Sequence, residues 1–244
     1  MISNKTYPYE DNIPFHATKL IEGTFGAFGN ILTIVAILRF KNLQTGSSFI
    51  LLSIAVSDLW SALITNYVDS FQDLLKSRGP EYYDEWIPSC YFMLFSGFFG
   101  GSSNINGICL TAVDRFMAIR FPIFYRNSMT LLKWKIILLI MWVLTFIKVL
   151  TETIVAMEVE LRDMCSIEDT YDDDIYLFTI MLYFALVSIV TSSLYVKIGL
   201  MIYKRNKVNK SQGGVENEKT KKQQKVQMKM TKIMAMVFGK NLKL

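Results

Sequence analysis

Apolar residues in this chain gather into long blocks separated by short polar turns. Five blocks, at roughly 22–40, 47–68, 90–113, 136–156 and 175–198, are each long enough to cross a bilayer as a helix. In lipid, backbone N–H and C=O groups must be paired within the segment, so the pattern predicts a bundle of membrane-spanning helices. The start is different. Residues 1–21 form a polar tail, and Met1 to Phe15 is too polar and Pro-containing for a cleavable signal, so the first block serves as its own insertion signal. After the fifth block come a basic stretch at 204–228, a short helical pattern at 228–238 and a polar end at 239–244.

Charge orients the blocks. The first turn carries Arg39 and Lys41, and the third carries Arg120, Arg126, Lys133 and Lys135 with no acid. Lys204, Arg205, Lys207, Lys210, Lys219, Lys221, Lys222 and Lys225 follow the fifth block. The second turn is acidic on balance (Asp69, Asp73, Glu81, Asp84, Glu85), and the fourth more so (Glu158, Glu160, Asp163, Glu168, Asp169, Asp172 to Asp174). The positive-inside rule then puts the amino terminus and both acidic turns outside, in a multi-pass membrane protein. The isoelectric point of 9.0 thus reflects cytoplasmic basic loops on a bilayer, not nucleic-acid binding.

Several polar residues lie within or at the rim of the apolar blocks, where they are costly unless they face protein or headgroups. Asp114-Arg115-Phe116 closes the third block; Arg115 is either a functional group or a snorkelling marker of the membrane edge. Helical periodicity places Cys90, Gly97, Gly101, Asn104, Ile108, Thr111 and Arg115 on one face, with the glycines there for close helix approach, which favours an inward Arg115. The first block groups Gly23, Gly26, Asn30 and Thr33; the second groups Asp58, Ala62, Thr65 and Asp69, with Asn66 beside them. Asp58 is a carboxylate about halfway through an apolar helix, either a proton or cation site or a structural group bonded to a partner such as Asn30. Lys148 and Glu152 are four apart and pair locally, with a ligand role as the alternative.

Cys90 and Cys165 both fall on the outer, oxidising side and can form a disulfide, whereas Cys109 is a small core residue. Asn4-Lys5-Thr6 is a glycosylation sequon on the outer tail; Asn209-Lys210-Ser211 lies in the basic loop and should be silent. The single histidine, His16, is a surface residue of the tail, and no paired acids or metal-ligand spacing suggest an enzyme. A transporter or channel using intramembrane Asp58 is the other function class, but neither internal repeats nor Gly/Pro-broken midplane helices accompany it.

Taken in order, these residues resemble a rhodopsin-like (class A) G-protein-coupled receptor over about residues 20–238. The resemblance rests on Gly29-Asn30 and on the Leu52 to Leu59 run that contains Asp58. It rests also on Cys90 twenty-five residues before Arg115, on Asp114-Arg115-Phe116, on Pro122 and Tyr125, on Trp142, and on Phe184, Tyr195 and Ile198. It implies an all-α seven-transmembrane bundle over 22–238, here ending after five full spans and the start of a sixth helix. It further implies that Arg115 pairs with Asp114 at rest and on activation extends toward a heterotrimeric G protein and Tyr195. Phe116 completes that motif, and Pro122 contacts the G protein. Asp58 with Asn104 would stand at the family's sodium site, with no other cofactor; Cys90 and Cys165 would form the disulfide over the ligand entrance; Asn30 and Trp142 would be structural.

The departures from the family are specific. Val187 stands where a proline usually bulges the fifth span, and Asn104 replaces the more usual Ser. Gly97 replaces the Asp that binds an amine's ammonium, which disfavours a conventional amine receptor. The Cys-Trp-x-Pro and Asn-Pro-x-x-Tyr signatures of the last two spans are absent, so the polypeptide of 244 residues is expected not to signal alone. The extracellular ligand is not readable; the acidic outer loops would steer a basic peptide.

Overall fold

A computed structural model of the chain describes residues 13–65, 67, 87–158 and 174–211. Regular structure among them is entirely helical: α1 (Ile13–Arg39), a 3-10 turn (Lys41–Leu43), α2 (Gly46–Trp60) running into a π-helical turn (Ser61–Thr65), α3 (Ile87–Arg120), α4 (Pro122–Ser128), α5 (Leu131–Glu158) and α6 (Asp174–Ser211). The blocks at 90–113, 136–156 and 175–198 lie within α3, α5 and α6, whereas the first ends one residue past α1 and the second ends past the π turn. α1 begins at Ile13, ahead of residue 22, and α6 continues through Lys204 and Arg205 into the expected basic loop. The 228–238 pattern, the 239–244 end, Asn4 and Cys165 lie outside the described residues.

Local chemistry sets the helix ends. Thr45 caps α2, its hydroxyl accepting from the Ser48 amide at 3.3 Å. Pro122 opens α4, where a missing N–H costs nothing. Arg39 ends α1 and Arg120 ends α3, each a cation at the negative end of a helix dipole. α4 was expected only as loop; seven residues give too short an apolar pattern to register.

Four helices among the described residues are long and apolar enough to cross a membrane: Ala17–Arg39, Gly46–Ile64, Leu131–Val155 and Phe178–Arg205. The 34-residue α3 is long enough, but Gly97, Gly100, Gly101, Ser102, Ser103, Asn104, Asn106 and Gly107 dilute its hydropathy. Such a composition suits a helix surrounded by other helices rather than by lipid.

The chain divides into two compact units, Met1–Gly107 with Leu131–Phe184, and Ile108–Thr130 with Ala185–Leu244. In the first, α1 packs on α2 through a face that buries Gly23, Ala27 and Ile37, and α2 packs on α5. Phe99 centres an aromatic cluster there, with Trp60, Phe95, Trp142 and Phe146 all within 6.0 Å centroid to centroid. In the second unit, Thr111, Ala112, Asp114, Thr191 and Ile198 are the buried side chains among the described residues.

The predicted stripes need correction by about one row. On α3, Gly97, Gly101, Asn104, Ile108 and Arg115 of the predicted stripe are half-buried and its Thr111 is buried, whereas the adjacent row Ser96, Gly100, Ser103, Gly107 and Asp114 is buried throughout. Close approach belongs to that row as well. A Cβ on Gly107 would stand 2.6 Å from Ile54 Cγ1, and one on Gly100 would strike the Ser61 side chain. At Gly101, and at Gly26 on α1, a Cβ would meet nothing within 4 Å. Small and polar residues crowd both rows of α3, so periodicity alone could not choose between them. On α1, Gly26 and Thr33 are likewise exposed, and Ala27 and Ile37 join Gly23 on the packed face. On α2 the π turn at Ser61 shifts the register beyond Asp58, so a plain 3.6-residue row does not continue through it.

Candidate functional site

The second unit holds the Asp114-Arg115-Phe116 motif. Asp114 is the buried member, with 1% of its side chain exposed, while Arg115 is 34% exposed and its Nε lies 3.6 Å from Asp114 Oδ2. Neighbouring helical residues point to different sides, so the Arg115 side chain must fold back to reach its neighbour. The other Asp114 oxygen accepts a 2.5 Å hydrogen bond from the Tyr125 hydroxyl of α4. A buried carboxylate is tolerable only when its oxygens are bonded or ion-paired, and Arg115 and Tyr125 supply both kinds of contact.

Pro122 matters to this geometry because it starts the helix that carries Tyr125. Pro122 itself is exposed, and Phe116 is half-buried. Tyr195 of α6 is half-buried in the same unit and within electrostatic range of Arg115. Tyr125 is the residue that sequence reasoning underused. In the sequence it stands only as part of a motif, because the helix that fixes its side chain is too short to show as a periodic pattern.

The first unit joins Asp58 to Asn104, whose amide Nδ2 donates to Asp58 Oδ1. Asn30 does not supply that partner, since its own amide donates to the Gly26 carbonyl at 3.0 Å. Asp58 also sits where α2 changes winding; the Ser61 N–H is shared between the Asp58 and Ser57 carbonyls. Carboxylate and carboxamide oxygens are hard donors of the kind that alkali and alkaline-earth cations prefer. Among the described residues, no group of three or more His, Cys, Asp or Glu could hold a metal, and a cation at Asp58 would compete with the Asn104 N–H.

Trp142 reaches from α5 to α2, its indole N–H donating to Ser53 Oγ at 2.7 Å. Lys148 and Glu152 pair as expected, Nζ to Oε1 at 2.6 Å. Cys109 is a free, half-buried thiol. Cys90 lies in the first turn of α3, but its side chain and Cys165 are outside what the structure describes, as is Asn4.

A family model described as 7 transmembrane receptor (rhodopsin family) matches residues 29–240. The chain belongs to this family. As a rhodopsin-family receptor chain it is a multi-pass membrane protein, and that membership does not favour the transporter or channel reading of Asp58. It is similar to an alpha-1A adrenergic receptor of Oryzias latipes, 26% identical over 129 residues, covering 50% of this chain and 25% of that protein. It is also similar to a Gq-coupled rhodopsin of Mizuhopecten yessoensis, 29% identical over 130 residues, with 52% and 25% covered. Cannabinoid receptor 1 of Xenopus laevis is 26% identical over 162 residues, with 64% and 33% covered. The chain thus spans a quarter to a third of the length of these relatives.

Proposed function

We propose that this rhodopsin-family receptor chain supplies the Asp114–Arg115 pair through which an extracellular signal reaches a heterotrimeric G protein, and that the 244 residues do not signal alone. The observation that supports this reading most is the bonding of Asp114. One carboxylate is buried, bonded to Tyr125 and within 3.6 Å of Arg115. In this reading the pair is the resting state. Releasing Arg115 frees a guanidinium with five donors to extend toward Tyr195 and toward the carbonyls or carboxylates of a bound partner. A ligand that favours the released arrangement then shifts the balance, which is the two-state behaviour that coupling between sites requires.

The remaining assignments follow the same reading. The basic ends at Arg39, Arg120 and Arg205 face the cytoplasm of the plasma membrane, and the amino terminus lies outside. Asp58 and Asn104 hold a sodium ion in the resting state, with the Asp58 carboxylate as its charged ligand. Cys90 and Cys165 form the outer disulfide, and Asn4 carries a glycan. A basic peptide is the ligand class that the acidic turns favour.

The experiment is association of the nanodisc-held chain with nucleotide-free heterotrimeric G protein. Asp114→Asn, which weakens the hold on Arg115, should raise association, and Arg115→Ala should abolish it. If both variants associate as the parent does, the pair is not the coupling switch.

A further inference from the structure

A second polar cluster lies in the first unit, away from the residues of the family motif. It joins three helices. Tyr183 of α6 donates its hydroxyl to Asn106 Oδ1 of α3 at 2.8 Å. The amide of Asn106 donates to Thr145 Oγ1 of α5 at 3.1 Å, and Thr145 donates to the Met141 carbonyl at 2.8 Å. The ring of Tyr183 in turn lies under Lys148, with Nζ 4.2 Å from its centroid, and Lys148 is paired with Glu152. Five side chains therefore run in an unbroken line from Glu152 through Tyr183 to the backbone of α5.

The ion pair is a poor source of stability. Glu152 Oε2 is buried with no hydrogen-bond partner, and Lys148 Nζ makes no hydrogen bond beyond its ionic contact. A buried pair whose remaining valences are unfilled seldom repays its desolvation, and replacing both members by apolar groups is often neutral or stabilising. What the pair does supply is direction. It holds a cation over one face of Tyr183, and the Asn106 carboxamide holds the other end of the same ring. A tyrosine held at both its ring face and its hydroxyl ties the Asp174–Phe184 end of α6 to α3 and α5.

We propose that Lys148, Glu152, Tyr183, Asn106 and Thr145 form a polar clasp that sets the rotation and height of the Asp174–Phe184 end of α6 against α3 and α5 within the bilayer. The clasp is a positioning device, independent of the Arg115 reading, and its ion pair serves placement rather than stability. In an apolar surround, helices can slide past one another at small cost, because lipid and side chains are equally apolar. Directional hydrogen bonds and a cation over a ring remove that freedom.

The test separates placement from stability. In the parent chain and in Lys148→Met/Glu152→Met, both held in nanodiscs, backbone amide exchange is measured for α6 at 178–190 and for α2 at 46–60. Stability is followed in parallel by detergent unfolding. The double variant should unfold at the same detergent concentration or a higher one, while exchange in the α6 segment rises about threefold, the scale of one cation over an aromatic ring, and exchange in α2 stays unchanged. Tyr183→Phe, which keeps the ring but cuts the Asn106 bond, should raise exchange in the same α6 segment. Unchanged α6 exchange in both variants would overturn the proposal. So would a rise shared equally by α2, because that is general loosening rather than lost placement.

Discussion

The Tyr125 hydroxyl sits 2.5 Å from Asp114 Oδ1, so the short helix α4 is tied to the buried acid of α3 through one side chain. Eleven residues separate the two in sequence, and Pro122 between them sets the start of α4. The arrangement makes Asp114 a shared anchor. It receives the guanidinium of its own neighbour on one oxygen and a phenol from the following helix on the other. Whatever loosens Tyr125 therefore alters the group that restrains Arg115.

Tyr125→Phe tests this anchor. The ring stays while the hydroxyl is lost, and a hydrogen bond to a charged acceptor contributes about 1.5–3 kcal/mol. Detergent-unfolding equilibria should show a loss near the lower end of that range, since Arg115 remains to face the carboxylate. Association with G protein should rise in the same direction as for Asp114→Asn. A variant as stable as the parent and unchanged in association would mean that the phenol is incidental.

The contact of α3 with α2 makes a prediction by contrast. Gly107→Ala places a methyl against Ile54 Cγ1, at 2.6 Å before relaxation, and overpacking of this kind costs about 1–3 kcal/mol. Gly101→Ala, six residues away on the neighbouring row, meets nothing within 4 Å and should be neutral or slightly stabilising, since alanine is the better helix former. Ile54→Ala in the Gly107→Ala background removes Cγ1, leaving the Ile54 Cβ at 3.9 Å, and should cost less there than in the parent. Equal effects at the two glycines would place the helix contact elsewhere.

These cases show where sequence reading reaches its limit. Span-length helices were legible because apolar blocks of that length have few other solutions, and Lys148–Glu152 was legible because a four-residue spacing is local. The choice between the Gly101 and Gly100 rows was not, since both carry small residues and only the position of Ile54 and Ser61 on another helix decides it. The bond from Tyr183 to Asn106 was equally hidden. Both residues are uncharged, they lie 77 positions apart, and neither disturbs the hydropathy of its block. The role of Tyr125 needed α4, a helix too short to show as a periodic pattern.

Sodium offers a sharper test of Asp58. If the carboxylate holds the cation of the resting state, thermal unfolding in sodium chloride should occur at higher temperature than in an equal concentration of choline chloride, and Asp58→Asn should erase the difference. The shift follows ligand linkage, about 2.7 kcal/mol at a concentration one hundred times the dissociation constant. Asn104→Ala has an informative sign. It removes the N–H that competes for the carboxylate along with a carboxamide oxygen, so sodium dependence that grows would show competition to dominate, and dependence that falls would make Asn104 a ligand. No sodium effect in the parent would remove the site.

The Trp142–Ser53 bond closes the set because two explanations of Trp142 can be separated. Its indole lies 5.4 Å from Phe99, edge to face, as part of the aromatic cluster, and its N–H also bonds Ser53 at 2.7 Å. Trp142→Phe keeps an aromatic ring but deletes the donor, whereas Ser53→Ala deletes only the acceptor. Interhelical hydrogen bonds in membranes average about 0.6 kcal/mol, and an edge-to-face aromatic pair contributes about 0.5–1.5 kcal/mol beyond its burial. If the hydrogen bond fixes Trp142, a double-mutant cycle of the two variants in detergent unfolding should give a coupling near the first figure. If the ring does the holding, Ser53→Ala should be silent, the coupling should vanish, and Phe99→Ala should account for most of the loss. The geometry favours a measurable coupling, because Ser53 is itself buried on α2, where leaving a polar group unpaired is costly.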